Sequence, residues 1–268
     1  MKKIIKYLFL LTGGSFILAS CNDFLDREPL DSVTPDNFFF TENDLAAYAV
    51  KHYNFTTHEG FNAGIWKNDN ATDNQAATDY DKKWIPGQWK VPEAYDNPAS
   101  NDPWYFSTIR EANYFLETVV PRFEKGEIEG SETNIKHYIG EMYFLRAKNY
   151  LSKLETFGDF PIIKNTLPDE SESLIQASKR APRYKVAHFI LEDLDQAISL
   201  LTNNISGGKN RITKNAALLL KSRAALFEAS WLTYHKGTAL VPGGPGWPGK
   251  AEDIADFNID TEIAFFLK

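Results

Sequence analysis

From Tyr105 to Trp231 apolar residues return every three or four positions, and that rhythm admits few folds. Tyr105, Ile109, Ala112, Leu116, Val119 and Phe123 share one helical face and stop near Gly126. Tyr143, Ala147, Tyr150, Leu151 and Leu154 mark the next helix, which ends at Phe157-Gly158-Asp159-Phe160-Pro161. A glycine just past the last turn with a proline soon after cannot continue a helix. A polar link from Asn165 to Arg180 leads to Pro182, a first-turn residue for a third helix through Val186, Phe189, Ile190, Leu194, Ala197 and Leu201. Thr213 caps a fourth, with Ala216, Leu219, Leu220, Ala224, Phe227 and Trp231 in register. This fourth helix is apolar nearly all round, since Leu218, Ala225 and Ala229 join the list, and it is expected to be buried.

No stretch alternates with the period of two that a large sheet requires, so the body is predicted to be mainly α with little β. Small residues fall where helices would cross closely: Gly140, Ala147, Ala197 and Ala224. The later helices come in pairs with modest links, in the style of tetratricopeptide repeats, though without their consensus. An ordinary helix bundle is equally compatible with this periodicity.

Two stretches depart from the rhythm. Thr41 and Asp44 approximate a capping box for a helix from about Glu42 to Tyr53. Residues 57–103 then turn irregular and rich in Asn, Asp, Gly and Pro. Trp66, Trp84 and Trp89, with Trp104 at the edge, argue against disorder, and a long irregular segment in a compact chain is usually functional. Residues 232–257 loosen again around Pro242-Gly243-Gly244-Pro245-Gly246-Trp247-Pro248-Gly249. The apolar run from Ile259 to Leu267 is expected to lack a partner, and the sequence reads as the N-terminal portion of something longer.

The N-terminus reads as an address. Lys2, Lys3 and Lys6 precede a short apolar core from Tyr7 to Ala19. That core falls short of the ~20 residues a spanning helix needs, and it has the layout of a secretory signal peptide. Leu18-Ala19-Ser20-Cys21 resembles the bacterial lipobox, in which cleavage exposes a cysteine that then carries diacylglycerol. More than one acyl chain on Cys21 would give stable anchoring at about 0.8 kcal/mol per buried CH₂. Cys21 is the only cysteine, so its lipidation leaves none for disulfides, catalysis or zinc. Removing residues 1–20 subtracts three lysines and takes the net charge from −7 to −10, a poor basis for nucleic-acid binding.

Motifs for chemistry are few. The five histidines (His52, His58, His137, His188 and His235) have no His-Glu-x-x-His spacing, which excludes a zincin. No Gly-x-Ser-x-Gly elbow and no Gly-rich phosphate loop occurs. Asp69-Asn70-Ala71-Thr72-Asp73-Asn74 lacks the ligand and glycine positions of an EF-hand, which leaves only a looser calcium site open. Trp66, Trp84, Trp89, Tyr80 and Tyr95 lie among amides and carboxylates, and such rings stack on sugar faces while polar groups take the hydroxyls. The same rings could instead pack the segment onto the helices.

Three motifs carry a family resemblance: Cys21-Asn22-Asp23-Phe24-Leu25-Asp26; Glu141-Met142-Tyr143-Phe144-Leu145-Arg146-Ala147 running into Thr156-Phe157-Gly158-Asp159-Phe160-Pro161; and Thr213-Lys214-Asn215-Ala216-Ala217-Leu218 continuing to Phe227. In this order they resemble the SusD/RagB-type lipoproteins of the Bacteroidetes. The resemblance implies a leader at 1–20, and a SusD-like helical domain at 21–268 that is incomplete at its C-terminus. It also implies lipidation at Cys21 and a place on the surface of the outer membrane. The partners it implies are a SusC-type TonB-dependent transporter and an oligosaccharide or polysaccharide. In that family the loop after the first helix supplies acid and aromatic sugar contacts, and Asp73, Trp84 and Trp89 are the matching positions. No enzyme activity, cofactor or metal is expected. A structural lid or docking subunit with little sugar affinity, and more remotely a surface hydrolase, are the competing readings.

Overall fold

The computed structural model describes residues 38–55, 104–205 and 210–268. Among these lie seven α-helices: α1 (Glu42–Lys51), α2 (Ser107–Lys125), α3 (Glu132–Phe157), α4 (Ser171–Ala177), α5 (Arg183–Leu200), α6 (Lys214–Tyr234) and α7 (Ile259–Phe266), with a 3-10 turn at Ala251–Ile254 before the last. The described residues form no β-strand, and the two isolated bridges, Thr41 with Glu129 and Phe160 with Ala181, only tie loops together. The chain is mainly α, with tetratricopeptide-like packing of successive helices: α2 on α3, α3 on α5, α5 on α6 and α6 on α7.

The ends of these helices follow from local chemistry. Thr41 and Asp44 form a full capping box on α1. The carboxylate of Glu42 in turn accepts from the backbone N–H of Ser131, the N-cap residue of α3, so the starts of α1 and α3 are stitched together. Gly126 takes the left-handed conformation that closes α2, and the Thr213 hydroxyl caps α6. Pro182 stands at the N-cap of α5, one position earlier than expected. Having no side-chain acceptor there, the helix borrows the Asp159 carboxylate, which accepts from the Arg183 N–H at 2.8 Å.

α3 is the axis of the bundle. At 26 residues it is about 39 Å long, and it buries Ile135, Ile139, Met142, Leu145, Tyr150 and Leu154 against its neighbours. A Cβ at Gly140 would lie 3.0 Å from Leu201 and 3.3 Å from the carbonyl of Ala197. The close crossing anticipated at these small residues is therefore the α3–α5 contact. Beneath α1 and α2, Phe39, Tyr48 and Phe115 form an aromatic cluster with ring centroids 5.0–5.4 Å apart.

Three expectations need correction. The polar link contains α4, a helix that buries none of its residues and so carries no apolar stripe to announce it. The apolar run after Asn258 does have partners: α7 packs on α6, Phe266 is buried, and His188 on α5 bonds Glu262 at 2.7 Å. α6, expected to be buried all round, leaves Leu219 73% exposed and also exposes Leu218 and Leu226. Its helical neighbours are α3, α5 and α7, and the end of α7 shares a cleft with Leu218 and Leu226 through Phe266 and Leu267.

Candidate functional site

Cys21, Asp73, Trp84 and Trp89 lie outside the described residues, as does the acidic run considered for calcium. The flanks of the aromatic segment are described, and α3 holds both of them. On the incoming side, Lys148 donates to the carbonyl of Asn54 at 3.2 Å, with its ammonium over the Phe55 ring at 5.2 Å. Burial lowers the pKa of this amine, which fits a lysine set against a ring. On the outgoing side, Lys153 donates to the carbonyl of Tyr105 at 3.2 Å, and Trp104 packs on Phe157 and Phe160. Five residues of α3, about 7.5 Å of rise, separate the two lysines.

A buried polar hub secures the incoming flank. Glu141 on α3 has no exposed surface and accepts from the Tyr53 hydroxyl at 2.7 Å and from Arg211 Nε at 2.9 Å. The Tyr53 oxygen also accepts the N–H of Ile212 at 2.9 Å. Burial, reinforced by the Glu141 carboxylate, pushes the Tyr53 phenol far above its ordinary range, so it serves as a permanent donor. His137 completes the hub. Its Nδ1 accepts from the Thr202 N–H, which puts the ring proton on Nε2, facing Glu141 at 3.1 Å.

Two clefts open beside this frame. One of about 350 Å³ is almost wholly apolar, between Trp104, Phe106, Ile109, Ile163, Leu167 and Leu174. The other, of about 300 Å³, is of mixed chemistry and lies where α3 ends. Trp231 from α6 and Trp247 from the Gly/Pro-rich loop line it, together with Glu155, Asp159, Arg180 and Arg183. Asp159 accepts the indole N–H of Trp247 at 2.8 Å, while Trp231 donates its own to the Leu240 carbonyl at 3.0 Å. Behind them the Arg183 guanidinium makes three bonds to Glu228 at 2.7–3.2 Å and lies 4.2 Å over the Trp231 ring. Burial raises the pKa of Glu228, outweighing the opposing pull of the bidentate arginine.

Gly158-Asp159 reads as a helix stop and Gly246-Trp247-Pro248 as loop, and nothing in the sequence joins them. They are 88 residues apart, and no local pattern announces such a pairing. Among the described residues no group of three His, Cys, Asp or Glu side chains is arranged to hold a metal ion. No described helix is long and apolar enough to cross a membrane.

Known proteins match this chain along most of its length. A family model of SusD-like proteins, described as starch-binding and associating with the outer membrane, matches residues 23–226. Two SusD-like proteins of Formosa agariphila are similar: P2 is 26% identical over 94% of this chain, and P38 is 27% identical over 74%. The chain spans 45% and 37% of their respective lengths, less than half of each. A crystal structure of a SusD-like protein from Bacteroides fragilis superposes on 76% of the chain with a TM-score of 0.57 at 26% identity, and the overlap is 38% of that protein.

Proposed function

Because this chain belongs to the SusD-like family, we propose that it is a cell-surface lipoprotein that captures glycans and passes them to a SusC-type TonB-dependent transporter. The observation that carries this reading is the family match over residues 23–226, whose description names starch binding and the outer membrane rather than a reaction. The clamping of both flanks of the aromatic segment on α3 supports it, because a rigid helix is a good base for a binding loop. In this reading Trp84 and Trp89 stack on sugar faces, Asp73 accepts hydroxyls, and acyl chains on Cys21 hold the body at the outer membrane after residues 1–20 are removed.

Calorimetric titration with a panel of polysaccharides, comparing wild type with Trp84→Ala and Trp89→Ala, tests the site. The expected result is binding by the wild type that weakens in both variants, and equal binding by all three would refute the assignment. Cys21→Ala should release the protein from outer-membrane fractions with its helix content intact.

The strip of Leu218, Leu219 and Leu226 on α6 supports a second reading, in which the body is chiefly a docking subunit or lid of the transporter. Co-purification of a TonB-dependent transporter with no measurable affinity for any glycan would favour it.

A further inference from the structure

We propose that the cleft between Trp231 and Trp247 is a second saccharide site, selective for neutral sugars and separate in its residues from the Asp73, Trp84 and Trp89 set. The inference rests on the reading that the chain binds glycans, and it adds where and which. At about 300 Å³ the cleft lies at the lower end of the ~300–1,000 Å³ range of small-molecule sites.

Its aromatic walls are fixed in advance. Each indole N–H has a partner within the protein, Asp159 for Trp247 and the Leu240 carbonyl for Trp231, so neither ring is free to turn about its polar edge. Trp247 lies so close to Gly249 that a Cβ there would sit 2.2 Å from the ring, and only glycine leaves room for this placement. Trp231 is held by the His235 ring, 4.3 Å away, and by Arg183, whose guanidinium is itself immobilised by Glu228. Rings ordered before a ligand arrives lose little freedom when it binds.

The polar groups at the cleft suit hydroxyls. The Asp159 carboxylate accepts one bond on each oxygen, from the Arg183 and Trp247 N–H groups, and an ionised carboxylate has about four acceptor positions. Glu155 adds an exposed acceptor and Arg180 an exposed, planar set of donors. Acceptors and donors beside flat apolar faces are what a pyranose with neighbouring hydroxyls pairs with. The charge balance sets the preference. The positive charge of Arg183 is offset by Glu228, and Glu155 lies 3.9 Å from Arg223, which leaves Asp159 against Arg180 and no spare cation at the cleft. A uronic acid would bring a carboxylate with no free cation to meet it, whereas a neutral sugar needs none.

Titration of the full chain with neutral and with uronic-acid-containing oligosaccharides tests the site, using wild type, Trp247→Ala, Glu155→Gln and a Trp84→Ala/Trp89→Ala double variant. The double variant should retain binding of neutral oligosaccharides, and Trp247→Ala should weaken that remaining class of site by about tenfold. Glu155→Gln leaves the folded core untouched and should narrow the preference for neutral over acidic sugars, which keeps the test valid if Trp247→Ala fails to fold. Unchanged affinity and stoichiometry in Trp247→Ala, or an unchanged preference in Glu155→Gln, overturns the cleft but leaves the glycan-binding reading standing. A wild type that binds no glycan of either kind overturns both.

Discussion

Two buried arginine–carboxylate pairs hold neighbouring helices of this bundle, and they are built differently. Arg146 and Asp193 join α3 to α5 through two bonds of 2.7 Å, and the remaining Arg146 donors go to Asn113 at 2.9 Å and the Lys164 carbonyl at 3.2 Å. The Tyr143 and Phe189 rings complete the enclosure. Arg183 and Glu228 join α5 to α6 through three bonds of 2.7–3.2 Å, all to the one carboxylate, and the guanidinium borders a cleft. Both pairs are buried, and the first is spread over three partners. The second concentrates on one partner, faces Trp231, and stiffens a wall that a ligand can reach. A buried ion pair seldom adds net stability over an apolar replacement, yet removing one member leaves a costly unpaired charge. Context therefore decides what each pair is for.

The largest effects on stability should come from breaking either pair. Asp193→Ala leaves Arg146 unpaired in the interior and should lower unfolding stability by about 3–5 kcal/mol, read by urea or thermal denaturation. Glu228→Ala should cost as much, because the freed Arg183 is 3% exposed, and it should also weaken neutral-sugar binding, which Asp193→Ala should leave intact in the folded fraction. Unchanged sugar binding in folded Glu228→Ala would erase the contrast. Next comes Tyr53→Phe, which removes a donor to Glu141 and an acceptor for the Ile212 N–H, at about 1–3 kcal/mol.

The smallest effect tests the same contrast between two histidines. His137 has both ring nitrogens partnered, whereas among the described residues the buried Nε2 of His52 has no hydrogen-bond partner and its Nδ1 faces Glu111 at 3.4 Å. Burial holds the His52 pKa below the ordinary 6.5, outweighing the Glu111 carboxylate. A depressed folded-state pKa means that the stability is present above 6.5 and is lost as the pH falls below it. Replacing His52 by Gln should flatten the fall in stability on acidification, measured against wild type in parallel denaturation series.

Much of the fold was legible because helix ends carry short-range signals. Thr41 with Asp44, Gly126, Gly158 and Thr213 each mark a boundary through bonds made within a few residues. What was hidden depends on distance. α4 has no buried face to give a period. The leucines of α6 read as core because periodicity reports which side is apolar, not whether a neighbour covers it. The candidate cleft was hidden for the same reason: Asp159, Arg183, Glu228 and Trp247 meet only once α3, α5, α6 and the loop after α6 are folded. The aromatic segment, by contrast, stood out by composition alone.

The two lysines of α3 also bear on how such a chain can change over generations. The described residues on either side of positions 56–103 are both bonded to lysines of one helix, five positions apart. Doubling the length of a flexible insert adds only about 0.6 kcal/mol of closure cost. Its residues can therefore be replaced or lengthened with little penalty to the helices beneath, and new ligand preferences can be tried on an unaltered body.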